Sequence, residues 1–285
     1  MARRLPNWLV KRAVDIKELH NVKAILRKGK LSTVCEEARC PNMAECFKRP
    51  TATFMIMGDV CTRNCTFCSV SNGNVKPLDP QEPKNVAMAV KEMGLKYAVI
   101  TSVTRDDISD GGASHFADTI KEIKKICPNT KIEVLIPDFQ GNESSVKIVC
   151  EANPDVINHN IETVPRLYKD VRPQADYGVS LSIFAMVKRF SSSIYTKSGI
   201  MVGLGERKDE VISVMKDLRR AGCEMLTIGQ YLTPTKESIP VAEYIHPDIF
   251  KYYEKKAKEL GFIKVASAPF VRSSYMADLQ FNGEI

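Results

Sequence analysis

No stretch of the chain approaches the ~18 consecutive apolar residues of a membrane-spanning helix. The basic start, Met1-Ala2-Arg3-Arg4, leads into no apolar segment of the kind an export signal carries. A membrane or secreted protein is therefore not expected, and a cytoplasmic location is. Internal repeats, low-complexity tracts and an obvious linker are also missing, which points to one compact unit of 285 residues. At 44% hydrophobic and 26% charged residues, the chain reads as an ordinary globular protein that can bury a large core.

Beyond residue 50 there is no excess charge: 29 Lys/Arg stand against 29 Asp/Glu. The whole net charge of +7 lies in residues 1–50, with 12 Lys/Arg and 5 Asp/Glu. Such an arm is either a solvated face or a surface for an acidic partner, for which Lys23, Arg27, Lys28 and Lys30 are the candidates. Few aromatics interleave with these charges, so a nucleic-acid partner is not expected.

From about residue 50, short apolar runs alternate with amphipathic segments. The runs are 53–57, 97–103, 132–136, 156–160, 199–202 and 225–228, with a further short strand at 263–266. The helices between them fall at 83–94, 112–126, 143–152, 176–190, 208–221 and 247–260. Strict strand–helix alternation argues a parallel sheet covered by helices. Six repeats favour an α/β fold of the partial (β/α)6 TIM-type barrel kind. Three segments follow: an N-terminal extension (1–50), the barrel (51–261) and a C-terminal extension (262–285). Barrel chemistry belongs to the loops after the strands, where Thr104–Asp107, Glu162-Thr163, Gly203–Glu206 and Gln230-Tyr231 gather.

Nine cysteines, an odd number without an export signal, argue against a disulfide framework and for metal or redox chemistry. Cys127, Cys150 and Cys223 are single and read as buried thiols. The other six form two triads, Cys35-x4-Cys40-x5-Cys46 and Cys61-x3-Cys65-x2-Cys68, the second in the loop after the first barrel strand. Three thiolates can hold three irons of a 4Fe–4S cluster and leave one iron open to a ligand. Structural zinc would want a fourth partner, and His20 and His115 are remote in sequence.

The second triad resembles the signature of the radical S-adenosylmethionine (SAM) superfamily. Several longer strings resemble its lipoyl synthase family: Thr33–Asn42 with Glu45-Cys46, Thr51–Met55, Gly58–Arg63, and Arg272-Ser273-Ser274-Tyr275. The likeness runs from Trp8 to Gln280, with Phe47 standing where the family pattern has Trp. The resemblance implies two 4Fe–4S clusters and SAM as co-substrate, and insertion of two sulfur atoms into a protein-bound octanoyl-lysine. It implies a SAM-cleaving cluster on Cys61, Cys65 and Cys68, and an auxiliary, sulfur-donating cluster on Cys35, Cys40, Cys46 and Ser274. Without the family match, Ser273 rivals Ser274.

Gly199-x-Met201-x-Gly203-x-x-Glu206 resembles a SAM-binding pattern of the superfamily, with Thr101, Ser102, Glu162 and Arg172 as further SAM contacts. His159 reads as a packed histidine. The implied partners are octanoylated lipoyl-carrier domains (2-oxoacid dehydrogenase E2 subunits and the glycine cleavage H protein), an electron donor such as ferredoxin or flavodoxin, and iron–sulfur assembly proteins. A biotin synthase-like sulfurtransferase would lack the upstream triad, and an iron–sulfur electron carrier would not need a barrel.

Overall fold

The computed structural model describes residues 5–11, 17–49 and 52–284. Met1–Arg4 lie outside the described residues, as do Pro50 and Thr51 at the expected boundary between the first two segments. The N-terminal part contributes α1 (Lys17–Lys28), β1 (Ser32–Thr33), α2 (Val34–Glu37) and α3 (Met43–Lys48). The strand β2 (Thr53–Ile56) then starts the barrel, followed by a two-strand pair, β3 (Val60–Cys61) with β4 (Ser71–Asn72), and α4 (Glu82–Glu92). Next come β5 (Tyr97–Ser102), α5 (Ala113–Ile126), β6 (Lys131–Leu135), α6 (Glu143–Glu151), β7 (Val156–Asn158), α7 (Tyr168–Val171) and α8 (Tyr177–Phe190). The chain continues with β8 (Tyr195–Val202), α9 (Lys208–Arg220), β9 (Met225–Gln230), α10 (Pro247–Glu259), β10 (Lys264–Ser267) and α11 (Ala277–Asn282).

The main sheet runs β1-β2-β5-β6-β7-β8-β9-β10. From β2 to β10 every neighbour is parallel, while β1 lies antiparallel on β2. Six β/α units make the partial barrel, and β10 adds a seventh parallel strand from the C-terminal part. Local chemistry sets the boundaries: Asn142 caps α6 through the N–H groups of Ser144 and Ser145, and Asp176 caps α8 through Val179. The apolar faces of α4, α5 and α6 bury Val86, Val90, Phe116, Ile120, Val146 and Val149 against the first strands. Leu26 of α1 and Phe47 of α3 are fully buried in the same core, so the N-terminal helices are built into the barrel wall.

Two expectations change. The fifth barrel strand begins at Tyr195, four residues before Gly199, because Lys197 hides its extended character in the sequence. Its ammonium is wholly buried and donates to both carboxylate oxygens of Glu133 at 3.1 Å, which also accepts from Asn158 and Tyr97. This group closes the barrel interior near the strands' starts. A buried pair of this kind is weak evidence of net stability, yet removing one partner costs about 3–5 kcal/mol. The basic arm is also less free than its charge suggests. Arg27 and Lys23 pair with Glu36, and Lys28 pairs with Glu92, so three of the four docking candidates tie α1 to α2 and α4. Of the single thiols, Cys150 and Cys223 are buried and Cys127 only partly so.

Candidate active site

The strands end in a cavity of about 570 Å³. Cys61, Cys65 and Cys68 line it from the loop around β3, and Cys35, Cys40 and Cys46 from α2 and α3. Ser274 and Ser273 enter it from the C-terminal tail. Both triads and the serines, far apart in sequence, thus share one chamber.

The loop carrying the Cys61 triad is held by the side chain two residues after its first cysteine. Buried Arg63 makes paired hydrogen bonds to Asp106 (2.7 and 2.9 Å) and to Asp138 (both 2.7 Å), joining the loop to the ends of β5 and β6. Burial alone would raise the Asp138 carboxyl. Arg63 outweighs it and, with the Gln140 N–H, holds that carboxyl down at about 2. Cys61 Sγ accepts from the N–H groups of Arg63 (3.4 Å) and Thr104 (3.3 Å), and Cys68 Sγ from Val70 (3.4 Å). Such N–H···S bonds favour thiolate and tune a bound cluster. Burial pushes Cys65 up to about 11 against the pull of nearby Arg172. It pushes Cys35 up to about 12 against a hydrogen bond from Thr53, with Cys40 and Cys46 adding their repulsion.

The donor sets fit iron–sulfur clusters. The members of each triad are near enough to perturb one another. Among the described residues, however, no three His, Cys, Asp or Glu side chains converge on a single ion. Each thiolate would instead serve its own iron of a polynuclear cluster.

Beside the Cys61 triad, four buried side-chain atoms have no protein partner: Ser102 Oγ, His159 Nε2, Asn160 Oδ1 and Arg172 Nε. All four residues line the cavity. Buried polar atoms left without partners point to a polar ligand. Arg172 is anchored by its Nη1, which donates to Asn160 O (3.0 Å) and Tyr168 Oη (3.1 Å). Glu162 takes a left-handed backbone (φ 66°), fixed by its N–H to Gly199 O and its carbonyl accepting from Met201. Its carboxyl lies high because burial outweighs Arg172 and Asn160. Thr101 lines the chamber too, but its hydroxyl donates to Leu135 O at 3.0 Å. His159 is packed as expected, with Nδ1 on Ile136 O, and burial drops it to about 4, so it stays neutral.

Gly203 and Glu206 do not line this cavity. The Glu206 carboxylate folds back onto the N–H groups of Gly203 (2.6 Å) and Leu204 (2.9 Å). Gly203 has φ 102°, and a Cβ there would lie 2.1 Å from Gln230 Nε2. The two shape the turn after β8, while Gly199, Ile200 and Met201 of the same motif line the chamber.

The sequence reading gave Arg63, Asn160 and Gly229 no role. Gly229 in β9 lets the tail cross the strand ends: a Cβ there would stand 1.9 Å from the Val271 carbonyl oxygen. The tail is held further by Asn42 Nδ2 on Phe270 O (2.7 Å), Tyr275 Oη on Glu45 (2.7 Å) and Arg49 on Asp278 (3.0 Å). Gly229→Ala is expected to push the Val271–Ser274 segment outward. Displacing a reacting group by about 1 Å commonly costs on the order of a hundredfold in rate. Any chemistry that needs Ser273 or Ser274 in place should fall by that order, while the loop held by Arg63 stays as it is. Product yield of the variant against that of the unaltered protein, beside its circular dichroism, checks it.

A family model described as the Radical SAM superfamily matches residues 55–218. The chain is 58% identical over 279 residues to a lipoyl synthase of Caldanaerobacter subterraneus subsp. tengcongensis, covering 98% of both chains. It is 53% identical over 276 residues to a lipoyl synthase of Chromobacterium violaceum, covering 96% of this chain and 88% of that one. Among solved structures it is similar to Streptococcus suis SuiB bound to S-adenosylmethionine (TM-score 0.56, 12% identity, 86% of this chain and 58% of that one). It is also similar to methylornithine synthase, PylB (TM-score 0.53, 15% identity, 67% and 55%). At such identities these two speak for the fold alone.

Proposed function

The chain belongs to the lipoyl synthase family of the radical SAM superfamily, and from that premise we propose how its residues divide the work. The reaction puts two sulfur atoms, at C6 and C8, into an octanoyl chain amide-linked to a lysine of a lipoyl-carrier protein. Those carbons bear no acidic hydrogen, so a side-chain acid or base has nothing to work on. When bound, the cofactors supply what side chains cannot: an electron that splits SAM into a hydrogen-abstracting 5′-deoxyadenosyl radical, and sulfide for the product.

Cys61, Cys65 and Cys68 would hold three irons of one 4Fe–4S cluster, and with no fourth protein thiolate in that triad one iron would stay open to SAM. Cys35, Cys40, Cys46 and Ser274 would hold the auxiliary cluster. Ser102, Asn160, Glu162 and Arg172 bind SAM beside the first triad, using atoms that have no protein partner or a carboxyl held in the cavity wall. Arg63 positions the first triad's loop and Gly229 the serine-bearing tail. In this scheme residues 1–50 and 262–285 furnish the auxiliary ligands, and residues 51–261 the SAM chamber.

Carriers of the 2-oxoacid dehydrogenase E2 and glycine cleavage H-protein kinds are the macromolecular substrates. A ferredoxin or flavodoxin is the electron donor, and iron–sulfur assembly proteins load the clusters. No described helix is long and apolar enough to cross a membrane. One observation carries the reading: both triads and Ser274 line a single chamber. Anaerobic turnover of an octanoyl-lysine peptide with SAM and a reductant, followed by mass, tests it. Two added sulfurs and two spent SAM per product are expected, and an unmodified peptide would overturn it.

A further inference from the structure

The auxiliary ligands come from two segments far apart in sequence, and two bridges join those segments. In the first, Glu45, the neighbour of Cys46, accepts at 2.7 Å from the hydroxyl of Tyr275, the neighbour of Ser274. In the second, Asn42 Nδ2 donates to Phe270 O at 2.7 Å. One ammonium locks both. Lys11 Nζ donates to Glu45 Oε2 at 2.6 Å and to Asn42 Oδ1 at 2.5 Å. It also lies 4.7 Å from the centre of the Phe270 ring and 5.6 Å from that of Tyr275, both within cation–π range.

We propose that Lys11 is a positioning residue for the auxiliary site, the pin that sets the Ser274 tail against the cysteine segment. For what the two segments hold, the proposal rests on the functional reading above. An ion pair as exposed as Lys11–Glu45 carries little by itself. What sets this one apart is Asn42. It stands at the start of α3, where such a side chain ordinarily caps the helix, yet it makes no cap and gives its amide to Lys11 and Phe270. That amide can face only one way, because the Phe270 carbonyl must accept and the ammonium must donate.

Asn42 is only 1% exposed, so losing Lys11 would leave its amide oxygen buried without the ammonium it now accepts from. The Glu45 carboxylate would keep its bond to Tyr275 on one oxygen and lose its counter-charge on the other. The arm that carries Lys11 is itself fixed. Leu9 is buried, and the Trp8 ring meets His246, just before α10, edge-on with centres 5.1 Å apart. The pin is therefore anchored outside the two segments it joins.

The test compares full-length Lys11→Met, which keeps the apolar stem and removes the charge, with Lys11→Arg, which keeps the charge and the donors. The first readout is amide hydrogen exchange of the iron-loaded protein, followed anaerobically by mass. Lys11→Met should exchange about tenfold faster in 40–46 and 270–276, the factor for losing a hydrogen bond to a charged group, with 61–68 and 104–108 unchanged. The second readout starts from protein with Cys61, Cys65 and Cys68 all changed to Ala, so that iron is held only by the auxiliary ligands. There Lys11→Met should lose iron to a coloured chelator about tenfold faster. Lys11→Arg should return both rates to near those of the protein with Lys11 intact. Unchanged exchange, faster exchange spread evenly over the chain, or local exchange with unchanged iron loss would each overturn the proposal. If the triad variant binds no iron even with Lys11 intact, the auxiliary-cluster assignment is what fails, and the exchange readout separates that from a failure of Lys11.

Discussion

Cys65→Ala is expected to release no 5′-deoxyadenosine and to form no lipoyl product. Cys65 lies between Cys61 and Cys68 on the chamber wall, close enough to Arg172 for the guanidinium to pull its thiol down. Burial still wins and holds that thiol near 11, so iron must displace its proton when it binds. With alanine there, one iron has no protein ligand. Changing groups that merely orient metal ligands costs about 10–100-fold in affinity or activity, and deleting a ligand should cost more, leaving cleavage below detection. The neighbouring Arg63 bracket does not touch this thiol, so the variant should still fold, which circular dichroism can verify. Release of 5′-deoxyadenosine in the presence of substrate would remove Cys65 from the SAM-cleaving centre.

Much of this architecture was legible because local and global signals agree. Apolar runs at 97–103 and 132–136 are strands lying side by side, and the stops at Gly94, Pro128 and Gly222 fall just beyond helix ends. The triads were legible because cysteine spacing is a chemical statement that survives without knowledge of the fold. The missed features all depend on residues distant in sequence. Lys197 disguised four residues of β8, since nothing local tells that Glu133 waits 64 positions away. Gly229 carries no turn signal; its meaning is the Val271 carbonyl, which arrives only after β10 has doubled back.

Glu206 is a motif residue whose contacts are local. Its motif is a pattern of types and spacing; the carboxylate bonds the backbone of its own turn, and Gly199 and Met201 of the same motif line the chamber. The charge of the basic arm likewise reads as available only until Glu36 and Glu92 are brought beside it. Asn160 could have been suspected from its place after the fourth barrel strand, where polar side chains tend to serve a site. The orphaned Oδ1 that makes the case is visible only in three dimensions.

The second large effect separates the two triads. Cys40→Ala is expected to keep SAM cleavage and abolish sulfur insertion. Cys40 belongs to the turn between α2 and α3, and its backbone N–H donates to Cys35 O. Its anchors are therefore those of the N-terminal helices: the core contacts of Phe47, and the bonds from Asn42 and Glu45 to the C-terminal tail. The loop of the Cys61 triad hangs instead on Arg63, Asp106 and Asp138. The two assemblies meet at the chamber, where Ser69 Oγ donates to Glu37 O at 2.7 Å; that bond does not involve Cys40, so losing the Cys40 thiol should leave the second triad intact. Hydrogen abstraction without a sulfur to receive the substrate radical should give deuterium loss from C6-deuterated octanoyl peptide, or an unsaturated octanoyl product. Ser274→Ala should shift the outcome the same way but less completely, because three cysteines remain, whereas Ser273→Ala should leave it unchanged. Both are read by mass beside 5′-deoxyadenosine yield. If Cys40→Ala still forms the lipoyl group at an undiminished rate, the sulfur comes from somewhere other than the ligands of the N-terminal helices, and the division of labour between the triads fails with it.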